Sequence, residues 1–364
     1  MRVVFLDNNL QYDGSTPDKQ PLGGSETALV NMAREFAKRG HDVLVYNRCL
    51  AAGVFDGVQY KRFDSYVETA YLEADVTIAL RNAALLNGFT NSLVTVLWMQ
   101  DAFNQQILQP LRDSRLQILI DQIFFVSQWQ AWSFLRCYEW PRAQTWVSRN
   151  GVNLAHFPER ALAAPRGKRV CYTSTPFRGL GLLLQLWPRI LKAVPDAELH
   201  VHSNMSVYQV PAEQDQKDFG EIYKALRQPG VFGHGGVNQV DLAKALATYR
   251  VLAYPNTFHE TGCIAAVEAM AAGCGVVTSD QGALPEILGG GGRLVPDVPG
   301  SAAYNDSFVD NTVALLQDDA AWQEMSVGFY ERAHALYGWE KIAQEWEGRL
   351  VQLVAEQKRN RKRE

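Results

Sequence analysis

The 364-residue sequence predicts an α/β protein of two domains, each an open, mostly parallel sheet with helices between its strands. Three observations carry this. Apolar runs of strand length alternate with segments of helical periodicity. The alternation breaks near residue 150 and then restarts. The length suits two domains of about 100 to 200 residues each.

"RVVFLD" (2–7) is a continuous apolar run, as expected for a strand covered on both faces. After the polar loop "NNLQYDGSTPDKQPLGG", the stretch "SETALVNMAREFAKRG" has apolar residues at helical spacing and stops at Gly40. "DVLVYN" (42–47) is the next strand, and a right-handed crossover makes this βαβ opening parallel. Strands follow at 75–80, 93–98 and 123–127, with helices at 106–121 and 128–138. "SRNGVNLAHF" (148–157) and "PERALAAPRGKR" form a turn-rich break, which sets the domain junction at 152/153. The alternation resumes with a strand at 169–175, the helix "GLGLLLQLWPRILKAV" and the strand "AELHVHS". A helix at 220–228, "GVFGHGG", the helix "QVDLAKALATY", the strand "VLAYP", a helix at 261–272 and the strand "GVVTS" complete it. Each half reads as a Rossmann-like unit. Such sheets bind ligands at the carboxyl ends of their strands, so the glycine-bearing transitions at 22–25 and 258–263 are expected at a binding edge, with a cleft between the domains.

Bulk properties exclude several classes. A net charge of -4 gives no electrostatic case for nucleic acid as a main partner. No apolar run approaches the roughly 18 residues of a membrane span. "MRVVFLDNN" has neither the apolar region nor the cleavage site of a signal peptide. The five cysteines (49, 137, 171, 263 and 274) are scattered without a CxxC, which argues against a zinc site or a disulfide framework and fits a reducing cytoplasm.

The chemistry concentrates in "HETGCIAAVEAMAAGCGVVTSDQGALPE" (259–286), where Glu260 and Glu268 stand in an apolar background. Carboxylates are rarely buried unless something pairs with them. A helix beginning near Thr261 offers the amides of Thr261, Gly262 and Cys263 to a phosphate, and Gly262 permits close approach. Glu268 then lies roughly 10 Å along that helix from Glu260, at 1.5 Å per residue. Two acceptor carboxylates flanking an anion site suit the hydroxyl groups on either side of a diphosphate. The alternative is a dipole-compensating Glu260 and a Glu268 on a solvated face.

"E-x7-E" followed by "AMAAG", an apolar strand and "GALPE" resembles the donor-site signature of glycosyltransferase family 4, retaining enzymes of the GT-B fold. Four further segments resemble that family in the same order: "GGSETALVNMAREFAKRGHDVLVY", "NGVNLAHF", "YTSTPFRGLGLLLQLWPRI" and "YGWEKIAQEWEGRL". The resemblance spans nearly the whole chain. It implies two facing Rossmann-like domains, 1–152 for the acceptor and 153–337 for the nucleotide-sugar donor, with a C-terminal helix (338–364) packing back on the first. It implies that Glu260 contacts hydroxyls of the transferred sugar and Glu268 the ribose. Arg178, in "PFRGL", would neutralise the diphosphate leaving group, since positioned cations stabilise the charge a departing nucleoside diphosphate gathers. Gly23 and Gly24 would approach the donor phosphates from the first domain. A surface arginine and a plain glycine turn are the alternatives.

The chain also departs from the family pattern. Only Arg178 stands where many members carry both an arginine and a lysine. "LWMQDAF" puts Gln100 or Asp101 where many have a histidine. Asp101 is therefore read as a catalytic-site residue touching the sugar or positioning the acceptor hydroxyl, or else as a cap of the next helix. Thr261, Gly262 and Cys263 replace a common Phe-Gly, and Gly275 stands in place of a proline. No D-x-D suggests the metal-phosphate site of the other large glycosyltransferase fold, and no GxGxxG follows a strand. His234-Gly235-Gly236 is read as near the nucleotide base or equally as a glycine turn, and His259 and the aromatics Trp129, Trp132, Tyr138, Trp140 and Trp146 are weaker site candidates, with supporting or packing roles favoured. The basic tail "KRNRKRE" is read as solvated and disordered, with weak peripheral contact to an anionic membrane as the lesser reading.

The resemblance thus implies a cytoplasmic, metal-independent, retaining transfer of a sugar from a UDP-, GDP- or other nucleotide-sugar to an acceptor hydroxyl, with no bound cofactor. Acceptor selection would fall to loops near 8–22, 51–66 and 99–112. A nucleotide-sugar epimerase or inverting transferase on the same fold, or a non-catalytic nucleotide-sugar binder, are the alternatives.

Overall fold

The computed structural model describes residues 1–63, 73–87, 91–158 and 166–362. It contains two compact units, one of Met1–Pro17, Gly23–Asn150 and Trp339–Glu364, the other of Asp18–Leu22 and Gly151–Gly338.

In the first unit, β1 (Arg2–Leu6), β2 (Asp42–Asn47), β3 (Gly53–Phe55), β4 (Val58–Arg62), β5 (Ala74–Leu80), β6 (Ser92–Trp98), β7 (Gln122–Phe125) and β8 (Thr145–Val147) form one sheet in the order β3-β4-β2-β1-β5-β6-β7-β8. Every neighbouring pair is parallel except the β3–β4 hairpin. That hairpin turns on Asp56 and Gly57, both at positive φ (49° and 81°), as an Asp-Gly type I′ turn requires. The central strands are apolar on both faces because helices cover both. Thr16–Lys19 (α1) is a single turn, and Gly24–Lys38 (α2) buries Ala28, Leu29, Met32, Ala33 and Phe36 at helical spacing. The expected helix at 106–121 is instead a 3₁₀ segment, Gln106–Arg112, and one α-turn, Ser114–Gln117 (α3). Pro110 interrupts the first piece, and Asp113, extended, accepts from the Arg115 amide to cap the second. Gln128–Leu135 (α4) follows β7.

In the second unit, β9 (Arg169–Tyr172), β10 (Glu198–Val201), β11 (Val231–Gly233), β12 (Val251–Tyr254), β13 (Gly275–Ser279) and β14 (Arg293–Val295) are all parallel, in the order β11-β10-β9-β12-β13-β14. The intervening helices are α5 (Leu180–Ala193), α6 (Ala212–Ala225), α7 (Gln239–Leu246), α8 (Ile264–Ala271) and α9 (Leu284–Leu288). The strand order reverses between β9 and β12, and in the first unit between β1 and β5. These switch points are where open α/β sheets hold ligands. Two helices not anticipated from the sequence, α10 (Ala302–Gln317) and α11 (Asp319–Leu336), follow β14.

The last helix, α12 (Trp339–Arg361), buries Trp339, Ile342, Ala343, Trp346, Leu350 and Leu353 against the first unit, touching α2, β5 and β6. Trp346 stacks edge-on against Trp98 (4.8 Å) and Phe124 (4.7 Å), and its indole N–H donates to Ser148 Oγ at 2.6 Å. We expect Trp346→Ala to destabilise the protein by about 3–5 kcal/mol, read as a lowered urea midpoint. The basic tail is not a disordered end as far as Arg361. The helix continues through it, with Lys358 3.4 Å from Asp75 and Arg361 donating to the Ser92 carbonyl. Residues 363–364, 64–66 of the expected acceptor loop and 159–165 of the junction lie outside the described residues.

Candidate functional site

In the second unit, the loops leaving β9, β10, β12 and β13 meet at the switch point. After β9, a 3₁₀ turn (Pro176–Arg178) ends at Gly179 in the left-handed region (φ 117°). A Cβ on Gly179 would lie 2.1 Å from the Pro255 carbonyl oxygen, so only glycine lets this turn press against the loop after β12. That contact brings Arg178 to Glu260: Nη1 donates to Oε1 at 2.8 Å, and Nη2 lies 3.4 Å from the Tyr208 hydroxyl. The guanidinium also sits 4.6 Å from the Phe258 ring centroid and 5.5 Å from that of Phe177. Burial opposes its charge, but Glu260 and its other neighbours keep it protonated, well above the usual arginine range.

Glu260 is itself clamped. The Ala283 amide donates to its carbonyl at 2.7 Å, and Gly282 (φ 61°) lies so close that a Cβ would be 2.3 Å from that oxygen. The expected "GALPE" segment thus braces the backbone of the first glutamate. Nearby, the Asn256 side chain accepts from the Phe258 amide, and Ser279 Oγ donates to the Asn256 carbonyl at 2.6 Å, shaping the 255–260 loop. Gly179→Ala or Gly282→Ala is expected to cost about 2–4 kcal/mol, from positive φ plus the clash, and to lower activity through Glu260. Thermal unfolding beside an activity assay checks both effects.

The helix carrying Glu268 starts later than the sequence suggests. Cys263, extended, is its N-cap and Ile264 its first residue, so Thr261 and Gly262 precede it. The first-turn amides with no partner inside the helix ladder are therefore those from Cys263 to Ala266, and the 10 Å helical span between the glutamates does not apply. Thr261, Cys263 and Glu268 are buried. Burial, then the Glu260 charge, pushes the Cys263 thiol up, so it stays protonated. Burial pushes the Glu268 carboxyl up to about 8, opposed by a hydrogen bond from the Gln239 side chain.

Gly23 and Gly24, in the first unit, open α2: Gly23 is its N-cap and Gly24 its first residue. At this unit's own switch point, Glu26 is buried and accepts from Asn9 Nδ2 at 2.7 Å. Asp7 follows β1, and burial followed by the Glu26 charge pushes its carboxyl up to about 7. Asp101 neither caps a helix nor presents a free carboxylate. Arg81, at φ 64° after β5, takes both its oxygens, at 2.7 and 2.8 Å, and lies 3.9 Å from Glu26. Gln100 exchanges two amide hydrogen bonds with Asn150 instead of facing outward. Sequence reasoning missed Asp7, Glu26 and Arg81 here, and Tyr254 and Tyr208 in the second unit.

The weaker candidates mostly pack. Tyr138 and Trp140 are buried, and Trp146 lies 4.7 Å from Phe124, whereas Trp132 is exposed beneath Arg136. His234 stacks with His200 and His202 beside Tyr249.

With the switch-point geometry in view, residues 168–318 match the family model described as "Glycosyl transferases group 1". This stretch of the second unit belongs to that family. Beyond the group 1 segment, phosphatidyl-myo-inositol mannosyltransferase of Mycobacterium tuberculosis is 32% identical over 203 residues, 53% of this chain and 50% of that protein. The protein of the same name from Mycolicibacterium smegmatis is 30% identical over 204 residues, 53% of this chain and 48% of the relative. The chain spans about half the length of these curated relatives. Solved GT-B structures share the whole fold. Sucrose-phosphate synthase from Thermosynechococcus elongatus has a TM-score of 0.76 at 17% identity, covering 98% of this chain and 100% of that one. Anabaena HepE in complex with UDP and glucose has a TM-score of 0.75 at 17% identity, covering 97% and 100%. At such identity the likeness establishes fold alone.

Proposed function

We propose that the chain is a family 4 glycosyltransferase that moves a sugar from a nucleotide-sugar to an acceptor hydroxyl, with retention of configuration and without a catalytic metal. The observation that carries this reading is the Arg178–Glu260 pair at the switch point of the group 1 unit, with Glu268 buried on the helix that follows. A buried carboxylate suits hydroxyl donors, here those of the ribose at Glu268 and, at the oxygen of Glu260 that Arg178 does not take, those of the sugar. Arg178 and the first amides of α8 supply positive charge for a diphosphate. In the transfer step, the acceptor oxygen bonds to the anomeric carbon on the face the leaving group departs from. The carbon–oxygen bond to the phosphate breaks, its electron pair stays on the diphosphate, and a diphosphate oxygen takes the acceptor proton. Gly23 and Gly24 would approach the donor phosphates. Asp101 acts through Arg81, and the loops near 8–22, 51–66 and 99–112 select the acceptor.

The scatter of the five cysteines, without a CxxC, supports a reducing, cytoplasmic setting. Among the described residues no helix is long and apolar enough to cross a membrane, and contact with the inner membrane face would be peripheral. The test is incubation with UDP-glucose or GDP-mannose in EDTA, followed by NMR of the released or transferred sugar. The reading expects an α-configured first product and at least a hundredfold loss of rate in Glu260→Ala. A β product contradicts retention, loss of activity in EDTA contradicts metal independence, and an unchanged rate in the variant contradicts the site.

A further inference from the structure

Glu260 is held by more donors than a sugar contact requires. Tyr254, the last residue of β12 and 1% exposed, donates its hydroxyl to Glu260 Oε1 at 2.6 Å. Arg178 Nη1 donates to the same oxygen at 2.8 Å. Ser174 Oγ lies 3.4 Å from the Tyr254 hydroxyl and the Tyr172 ring packs edge-on at 5.7 Å, so the phenol has little freedom. Oε2 accepts from neither Tyr254 nor Arg178.

We propose that Tyr254 is a specificity-determining residue: by occupying Oε1 together with Arg178, it leaves Glu260 one oxygen, Oε2, with which to read a single hydroxyl of the transferred sugar. The inference rests on the glycosyltransferase reading above. A carboxylate with two free oxygens accepts from a vicinal pair of hydroxyls and tolerates several placements of that pair. With two donors converging on one oxygen and its backbone clamped by Gly282 and Ala283, the carboxylate plane is set and its remaining lone pairs are those of Oε2, so a vicinal pair of hydroxyls no longer finds one oxygen for each. Burial, then the Glu260 charge, pushes ionisation of the Tyr254 phenol well above its ordinary value, so it remains a donor at any working pH. A site built to bond one hydroxyl discriminates strongly against the analogue lacking it, because its own polar group is left unpaired.

The experiment compares kcat/KM for UDP-glucose, or for GDP-mannose if only that is used, with the 2-, 3-, 4- and 6-deoxy donors. The proposal expects one position to carry a penalty of about a hundredfold or more in the wild type. In Tyr254→Phe that penalty drops about tenfold, while affinity for UDP or GDP alone stays within about twofold. An unchanged deoxy profile in an active Tyr254→Phe enzyme overturns the proposal. So does a parallel fall in nucleoside diphosphate affinity, which marks a structural role. Should Tyr254→Phe not fold, Tyr254→Phe/Glu260→Gln, which weakens the acceptor the single variant leaves short of a donor, is compared with Glu260→Gln. Equal deoxy profiles are expected, since Tyr254 acts through Glu260, and a further change overturns the proposal. A wild-type protein that neither transfers nor hydrolyses either donor removes the glycosyltransferase reading itself, an outcome distinct from failure of the Tyr254 inference.

Discussion

Arg178→Ala is expected to lower kcat by about 10²–10³-fold, the largest effect of any single substitution at the second unit's switch point. Two consequences combine. The variant loses the cation proposed to face the leaving diphosphate, and it leaves buried Glu260 with only the Tyr254 hydroxyl. The second consequence costs stability, about 1–3 kcal/mol, because a buried carboxylate is left short of a charged partner. Arg178→Lys separates them. A lysine restores charge but not the geometry by which one guanidinium meets Glu260, Tyr208 and the rings of Phe177 and Phe258. Stability is expected to recover more fully than kcat. Steady-state kinetics beside urea unfolding of both variants checks this, and equal recovery of the two quantities would show that Arg178 serves only to neutralise Glu260.

Glu268→Gln is expected to move stability and ligand affinity in opposite directions. The folded protein holds the Glu268 proton up to about pH 8, whereas the unfolded chain releases it near the ordinary glutamate value of 4.5. Between those values the folded state binds more protons than the unfolded state, so this group's contribution lowers stability as pH rises. Asp7, raised from 3.8 to about 7, acts in the same direction over its own window. At about 1.4 kcal/mol per unit, Glu268 alone accounts for up to about 5 kcal/mol by pH 8, an upper figure. Glu268→Gln therefore gains little at pH 5 and up to a few kcal/mol at pH 8.5, read by denaturant unfolding at the two pH values. Donor binding shows the converse. Ribose hydroxyls bond best to the ionised carboxylate, so wild-type affinity rises with pH between about 6.5 and 8.5. The variant is pH-independent there and binds about 10- to 100-fold more weakly at the upper end. A wild-type affinity flat across this range contradicts the ribose role.

The parts legible in the sequence were those set by local pattern. Apolar strands such as Arg2–Leu6 and Val251–Tyr254 and amphipathic helices such as α2 follow from periodicity, and "GALPE" marks the turn that meets Glu260. Misreadings arose where a local signal was weak or went unused. Pro110 was overridden by the apolar spacing of 106–121, although it divides that stretch. The Asp56-Gly57 turn carries a hairpin signal, but the strands it joins are only 3 and 5 residues long. The start of α8 moved from Thr261 to Ile264 because Cys263 is extended, which composition does not reveal. Long-range partners were invisible for a more basic reason. That Arg81 takes both oxygens of Asp101, or that Tyr254 donates to Glu260, depends on strand order and on which loops a glycine allows to touch. Likewise, Glu268 was visible as a carboxylate in an apolar helix, but only packing reveals that it is buried beside Gln239.

In the proposed function, the second unit holds a nucleoside diphosphate between Arg178 and the start of α8, with Glu268 on the ribose. Isothermal titration of the protein at pH 8 with UDP, GDP, ADP and dTDP, repeated for Arg178→Ala and Glu268→Gln, tests it most directly. Binding of at least one of the four by the wild type, weakened at least tenfold in both folded variants, is the predicted result. Binding of none by the folded wild type, or binding that both variants retain unchanged, would contradict it.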